Sequence, residues 1–320
     1  MNYQGGFTTL LSPDATQTGI DSVAYEVYER ESQPSALSSR DTTFFNQKTM
    51  NTMAWIWDEY SGVPNIEVVD EQEIVPTVST FIGNQTVKRV VVYKNDFPVS
   101  WEARKTDRID LRERIGRSIG DSVRRTQDYK AIIDCYGDAF DGTNHTTPDG
   151  LSLANNAHVT LNGATVDNLS TLAMDPDNFD DVVTLLEAQP GQHGDMGGNV
   201  FSGLAVPRNL YKRAKEVMNS TKEADTAENN LNLFDTDYGT VVLKQSPLLN
   251  STFNSGANAN TGFHLVSQQH HINRRVLAEF ETEMIEAKNT GTDSDATRVR
   301  FAEVTHPETH FGYVGSTGVV

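Results

Sequence analysis

Between residues 106 and 140 the chain carries one unbroken helical stripe. Leu111, Ile115, Ile119 and Val123 recur four apart, and Thr126, Lys130 and Ile133 continue the line to Tyr136, Gly137 and Phe140. Thr106 is suited to cap the helix, with Asp107 and Asp110 in a first turn where carboxylates favour the helix dipole. No proline interrupts it. Roughly 34 residues at 1.5 Å each predict a rod about 50 Å long. A compact chain of 320 residues has a radius of gyration of only about 20 Å. Such a helix spans or outruns a compact body, so a flat or elongated molecule is expected. Gly116 and Gly120, four apart on it, leave room for another element to approach closely.

The regions around the helix differ in character. Residues 1–48 are polar and rich in Gly, Ser, Thr and Gln, with a short amphipathic helix at 20–30 carrying Val23, Val27, Tyr25 and Tyr28. They read as an arm. Residues 66–70, 74–81 and 86–93 are rich in Val, Ile and Thr, as strands are. Gly83-Asn84 is placed to turn the chain between the last two. This predicts a long two-stranded excursion with few bulky apolar residues near its tip. Beyond the helix, the hairpin signals Asp149-Gly150 and Asn162-Gly163 precede a helix at 178–188, a Gly-rich loop at 189–199 and an apolar strand at 200–206. Pro207 is expected to open a further helix to Asn219. Strands follow at 240–244, 263–267, 276–284 and 298–303. There is no internal repeat. The fold class expected is α+β.

Composition adds limits. The formal charge of −18 repels nucleic acid, so DNA contact should be weak and non-specific. The single cysteine, Cys135, allows no intrachain disulfide. The first residues have neither a basic start nor a long apolar core, so no signal peptide is expected. No apolar run is long enough to span a membrane. Apolar residues and Gly without Tyr make up about 41% of the chain, below the usual 45–50%. Burial against neighbouring subunits is the expected remedy.

The order of these pieces resembles the tailed-bacteriophage major capsid proteins of the Hong Kong 97 type. Val99-Ser100-Trp101-Glu102 followed by Ile115-Gly116-Arg117-Ser118-Ile119-Gly120 is similar to that family's approach to its spine helix. Asp149-Gly150-Leu151-Ser152-Leu153, ending at Ala157-His158, resembles the segment often found after it. Leu204-Ala205-Val206-Pro207-Arg208-Asn209-Leu210, with Ala214, resembles its apical-domain segment, and Phe311-Gly312-Tyr313 with Gly315-Ser316 matches its C-terminus loosely. The resemblance implies an N-terminal arm at 1–49, an extended β-hairpin loop at 50–101, a peripheral domain at 102–174 and 264–320 around the spine helix, and an apical domain at 175–263. It implies a structural protein, not an enzyme, that assembles with itself into pentamers and hexamers of an icosahedral shell around DNA, in a host cytoplasm, and ends in the virion. Residues 1–48 are too short for the scaffolding segment some relatives carry, so a separate scaffolding protein is implied if this is the full gene product, with a portal and cement proteins as further partners. The family's lysine–asparagine cross-link is not assignable: Lys88 and Lys94 lie in the hairpin, but nothing marks their partner. An encapsulin-like nanocompartment shares the fold, and a soluble hydrolase or metalloenzyme is the alternative of another class.

The chemical motifs do not favour that last alternative. In His306-Pro307-Glu308-Thr309-His310 a proline stands where a zinc protease needs its glutamate. His264, His270 and His271 have no Cys or carboxylate at ligand spacing. Asp175-x-Asp177 fails the calcium-loop pattern and reads as helix capping, Asp293-x-Asp295 is only its faint echo, and the glycines of 191–198 lack the Lys-Ser/Thr of a phosphate loop. Cys135, on the long helix, reads as packed. No catalytic, cofactor or metal site is therefore expected. What stands out is charge: residues 104–130 hold nine basic and five acidic side chains in an otherwise acidic chain. The assembly contacts expected are Arg104, Arg108 and Arg112 of the spine helix against Glu71 and Glu73 of a neighbour's hairpin, with Phe81 and Ile82 near its tip.

Overall fold

The structure is a computed structural model. It describes residues 13–30, 33–61, 80, 82–100, 111–195, 197–219, 240–256, 258–285 and 294–318. In chain order the elements are α1 (Pro13–Glu29), β1 (Asn46–Thr49), β2 (Ala54–Tyr60), β3 (Ile82–Arg89) and β4 (Val91–Ser100). Next come α2 (Leu111–Ile132) with a π-turn (Ile133–Gly137), β5 (His158–Val159), β6 (Thr165–Val166), β7 (Leu169–Ser170), α3 (Pro176–Glu187) and β8 (Phe201–Pro207). Then follow α4 (Tyr211–Asn219), β9 (Val242–Ser246), β10 (Phe263–Ser267), β11 (Ile272–Ile285), β12 (Ser294–Pro307) and β13 (Tyr313–Ser316). No helix is long and apolar enough to cross a membrane among the described residues.

The chain divides into two compact units. The first comprises Met1–Glu31, Val90–Asp128 and Val276–Glu303. Its sheet pairs β4 with β12 in register from Val91↔Glu303 to Ser100↔Ser294, and β12 in turn with β11. The stripe of α2 packs here: Ile119 and Val123 are buried with Ala24 and Tyr28 of α1 and with Phe280, Val299 and Phe301 of the sheet. Tyr25 closes the edge, its hydroxyl donating to the Phe280 carbonyl at 2.8 Å.

Gly120 does what its spacing implied. A Cβ there would stand 2.5 Å from the Ala24 carbonyl oxygen and 3.0 Å from the Val27 Cβ. Gly120→Leu should therefore force α1 away from α2. Overpacking of this kind costs about 1–3 kcal/mol, only partly offset by better helix propensity. The measurable result is a lower Tm and faster proteolysis within residues 13–30; unchanged protection would mean that α1 does not dock on α2.

The second unit comprises Ser32–Arg89, Tyr129–Arg275 and Val304–Val320. Its centre is a five-stranded sheet of order β7-β13-β10-β8-β9. β10 runs antiparallel to β13 and β8, while β9 is parallel to β8 and β7 to β13. Strand alternation sends Leu204, Val206, Leu265 and Val314 to one face, which α3 covers with Phe179, Val182, Val183 and Leu186 and α4 with Ala214, Val217 and Met218. Ala205, Val266 and Tyr313 point the other way, onto Ala131, Ile132, Cys135, Tyr136, Phe44 and Phe45. This is a layered arrangement with apolar material on both sides of the sheet.

Several expectations shift by a turn or a strand. The long helix ends in a π-turn that buries Cys135, Tyr136 and Gly137. Pro207 closes β8 instead of opening a helix; a turn follows, Leu210 N–H bonding the Pro207 carbonyl, and α4 begins at Tyr211. Asp175 does cap α3, its side chain accepting from the Asn178 N–H at 3.0 Å. The clearest correction concerns Gly83-Asn84. They do not turn the chain but lie inside β3, which pairs with β2 from Ala54↔Arg89 to Tyr60↔Ile82. Gly83 is instead a point of close approach, since a Cβ there would meet the Leu161 side chain.

Candidate functional site: the β2–β3 ribbon and its histidine-lined base

β2 and β3 form a separate two-stranded ribbon within the second unit. Its inward residues, Trp55, Trp57 and Glu59, alternate with Ile56, Asp58 and Tyr60 on the outer face. Across the strands Ile56 pairs with Val87, Asp58 with Gln85, and Tyr60 with Ile82. The outer apolar pairs stand in solvent: Ile56 is 57% exposed, Tyr60 55%, Ile82 67% and Val87 51%. Only Asp58 and Gln85 are tied to each other, at 2.8 Å. A ribbon of two strands with an apolar outer face is marginal in water unless something covers it.

The inner face is anchored. Trp57 packs 4.9 Å from Trp55 and 5.1 Å from the His306 ring, and the Arg275 guanidinium lies 4.7 Å above Trp55 while bonding Glu308 at 3.0 Å. Burial raises the Glu59 carboxyl above its usual range, opposed by a 3.0 Å hydrogen bond from Gln192. Lys88, partly buried beneath the ribbon, is shifted down by the same loss of water.

Around this base the histidines are buried and mostly neutral. His306 and His145 meet edge to face at 4.7 Å, and burial pushes His145 down to about 4 and His306 further. His310 stacks on His158 at 4.1 Å with ring planes 8° apart. His158 Nδ1 lies 2.7 Å from Asp149 Oδ2 and its Nε2 lies 3.2 Å from the Leu153 carbonyl. The pairing with His158 and hydrogen bonds from Thr147 and Leu151 hold the Asp149 carboxyl well below its usual range, against the upward pull of burial.

Asp149, His158 and His310 place three donor atoms within 4.8 Å of one another. The stacking argues against a shared ion. An imidazole offers its lone pair in the ring plane, and two parallel rings 4.1 Å apart cannot both aim at one point between them. The His306-x3-His310 spacing does not converge either, since His306 turns to Trp57 and His310 to His158. The His306–His145 and His310–His158–Asp149 groupings were not visible in sequence, because these residues meet only through the fold.

The expected assembly residues are placed only in part. Ile82 is on the ribbon, opposite Tyr60. Arg112 is the second residue of α2, where the backbone alone is described. Glu71, Glu73, Phe81, Arg104 and Arg108 lie outside the described residues, as does Asp293. Sequence reading missed Ile56, Tyr60 and Val87. For Ile56 and Tyr60 the signal was the alternation in 54–60, masked by aromatic residues on both faces.

Comparison with solved structures identifies the architecture. The chain is similar to the virus-like particle from Pyrococcus furiosus, with TM-score 0.54 at 11% identity over 93% of this chain and 98% of that one. It is similar to the capsid of Myoviridae phage XM1, with TM-score 0.55 at 13% identity over 91% and 95%. It is similar also to the capsid of cyanophage P-SCSP1u, with TM-score 0.57 at 9% identity over 90% of each. No curated protein matches the chain by sequence. The fold is thus of the Hong Kong 97 type, that of phage capsid proteins. The phage capsid protein family matches residues 84–306, well over half the chain, and the chain belongs to that family. Its role is that of a major capsid structural protein.

Proposed function

We propose that this protein builds an icosahedral shell of pentamers and hexamers around packaged DNA, and that the β2–β3 ribbon is the grip by which one copy holds the next. The observation that carries the second part is the outer row of Ile56, Tyr60, Ile82 and Val87, apolar and exposed in the single chain. The division into an arm at 1–49, an extended hairpin at 50–101, a peripheral domain at 102–174 and 264–320 and an apical domain at 175–263 belongs to this reading. So do a non-enzymatic role, assembly in the host cytoplasm, weak contact with DNA, and a separate scaffolding protein, portal and cement proteins as partners. Glu71 and Glu73, set against Arg104, Arg108 and Arg112 of a neighbour, would add charge attraction between copies.

The test is Tyr60→Ser combined with Ile82→Ser. Both sites are exposed, so the Tm of the unassembled chain should stay nearly unchanged. Apolar anchors lost from an interface cost about 1–3 kcal/mol per contact, which should raise the concentration needed for shells by about tenfold or more. Reversing charge at Glu71 and Glu73 should weaken assembly most at low salt. Normal shells from the double-serine variant would remove the ribbon from this role. Purified particles filled with protein cargo instead of nuclease-protected DNA would favour a nanocompartment.

A further inference from the structure

The two helices on the outer face of the five-stranded sheet differ in charge. α3 turns Phe179, Val182, Val183 and Leu186 inward and leaves Asp177, Asp180 and Asp181 exposed. These aspartates sit three and four apart, where like charges repel. None has an ion-pair partner among the described residues. α4 buries Ala214, Val217 and Met218 and exposes Lys212 and Lys215, with exposed Arg208 just before it. Arg208 lies 5.6 Å over the Tyr211 ring and bonds the Gln245 side chain at 2.9 Å, neither of which neutralises it. Lys212 has Glu216 at 3.6 Å but is itself 90% exposed, so that pairing is weak. Lys215 has no carboxylate at ion-pair distance among the described residues.

The helices lie side by side on that face. α3 sits over β13, β10 and β8 and α4 over β8 and β9, so in the strand order β7-β13-β10-β8-β9 α3 reaches toward the β13 side and α4 toward the β9 edge. One flank of the helical layer is therefore acidic and the other basic. We propose that the acidic face of α3 docks against the basic face of α4 on a neighbouring copy of this chain. This deepens the shell reading and rests on it. In a ring each rotation brings the acidic flank of one copy to the basic flank of the next, a head-to-tail contact that closes without an unmatched side. The pairing also sets register, since acid against acid or base against base is repelled. Nucleic acid is the weaker occupant of the basic face, because three cations stand in a chain of net charge −18.

The test is charge reversal and exchange. Asp180→Lys with Asp181→Lys, and separately Lys212→Glu with Lys215→Glu, should each slow assembly about tenfold or more at about 50 mM salt, and less at about 500 mM. The chain carrying all four changes should recover. Circular dichroism and Tm of the unassembled variants check that the exposed changes leave the fold intact. A second readout does not depend on shells. The chain's cysteine, Cys135, is buried, so an Asp181→Cys variant mixed with a Lys212→Cys variant should form an interchain disulfide under mild oxidation, and neither variant should do so alone. Absence of that disulfide, or no recovery in the fourfold variant, overturns the pairing. So does loss of DNA retention with unchanged assembly in the lysine variant. If the parent forms no particles, the shell reading fails by itself, and the disulfide result still decides whether these faces meet.

Discussion

Lowering the pH from 7 to 5 should unfold the second unit. Five of its histidines are buried and held neutral. Burial is the leading cause for each, pushing His145 and His270 to about 4, His264 and His310 to about 3, and His306 further down. His271 shifts the same way. In the unfolded chain these groups return to about 6.5. The unfolded state therefore binds more protons below pH 6.5. The stability is complete above that pH and is lost as pH falls toward the folded values. Each unit of pH below 6.5 costs about 1.4 kcal/mol per histidine. At pH 5 that is about 2 kcal/mol each and on the order of 10 kcal/mol for five. Half of that already equals the lower end of ordinary domain stability. Glu59 and Asp134 oppose the trend, since burial raises both carboxyls and their folded forms gain from acid. Two carboxyls do not offset five histidines. Asp149 does not enter, because a depressed carboxylate loses its contribution only below the usual carboxylate range. Thermal melts at pH 7, 6 and 5 should show a steep fall in Tm, with uptake of several protons on unfolding near pH 5. A Tm that stays level from pH 7 to 5.5 would show that these side chains titrate freely in the folded chain.

That behaviour was not legible in the sequence, and the reason is physical. Periodicity reports which face of an element is apolar, so the stripe of α2 and the close approach at Gly120 could be read directly. The capped start of α3 and the strand at 263–267 were local signals of the same kind. Trp57, His145, His158, His306 and His310 carry no such signal, since each is polar or amphipathic and their meeting depends on three distant segments. The ribbon shows the opposite failure. Residues 53–60 are legible as an aromatic-rich strand, but not which side chains face out: Trp55 and Trp57 face in while Ile56 and Tyr60 face out. A strand with large residues on both faces hides its period of two. Gly83 was read for its conformational freedom, whereas β3 uses its lack of a side chain. Asp175 and Asp177 were legible as helix capping, but Asp180 and Asp181 and their complement on α4 needed the fold to become visible.

Replacing Tyr136 by Ala should be among the most damaging single changes in the second unit, and Tyr136→Phe should separate its two contributions. The π-turn inserts an extra residue into the end of α2 and brings Tyr136 inward, where it is 1% exposed. Its ring meets Phe45 edge-on at 5.5 Å and Phe44 at 6.3 Å, with His264 at 5.4 Å and Tyr313 at 6.3 Å on the sheet side. Its hydroxyl donates to the Phe44 carbonyl at 2.8 Å, tying residues 44–45 to the helix. The phenylalanine variant keeps the packing and leaves that carbonyl without its donor, a loss of about 1–2 kcal/mol. The alanine variant adds a cavity among rings that cannot collapse without leaving the sheet, and large aromatic deletions of this kind cost about 3–5 kcal/mol. For a body of this size that corresponds to a fall in Tm on the order of 10 °C. Residues 33–45 should then become cleavable by protease below the melting transition in Tyr136→Ala and remain protected in Tyr136→Phe. Equal and small effects in both variants would place the weight of this side chain in its hydroxyl alone and remove the aromatic cluster as the joint between the π-turn and the sheet.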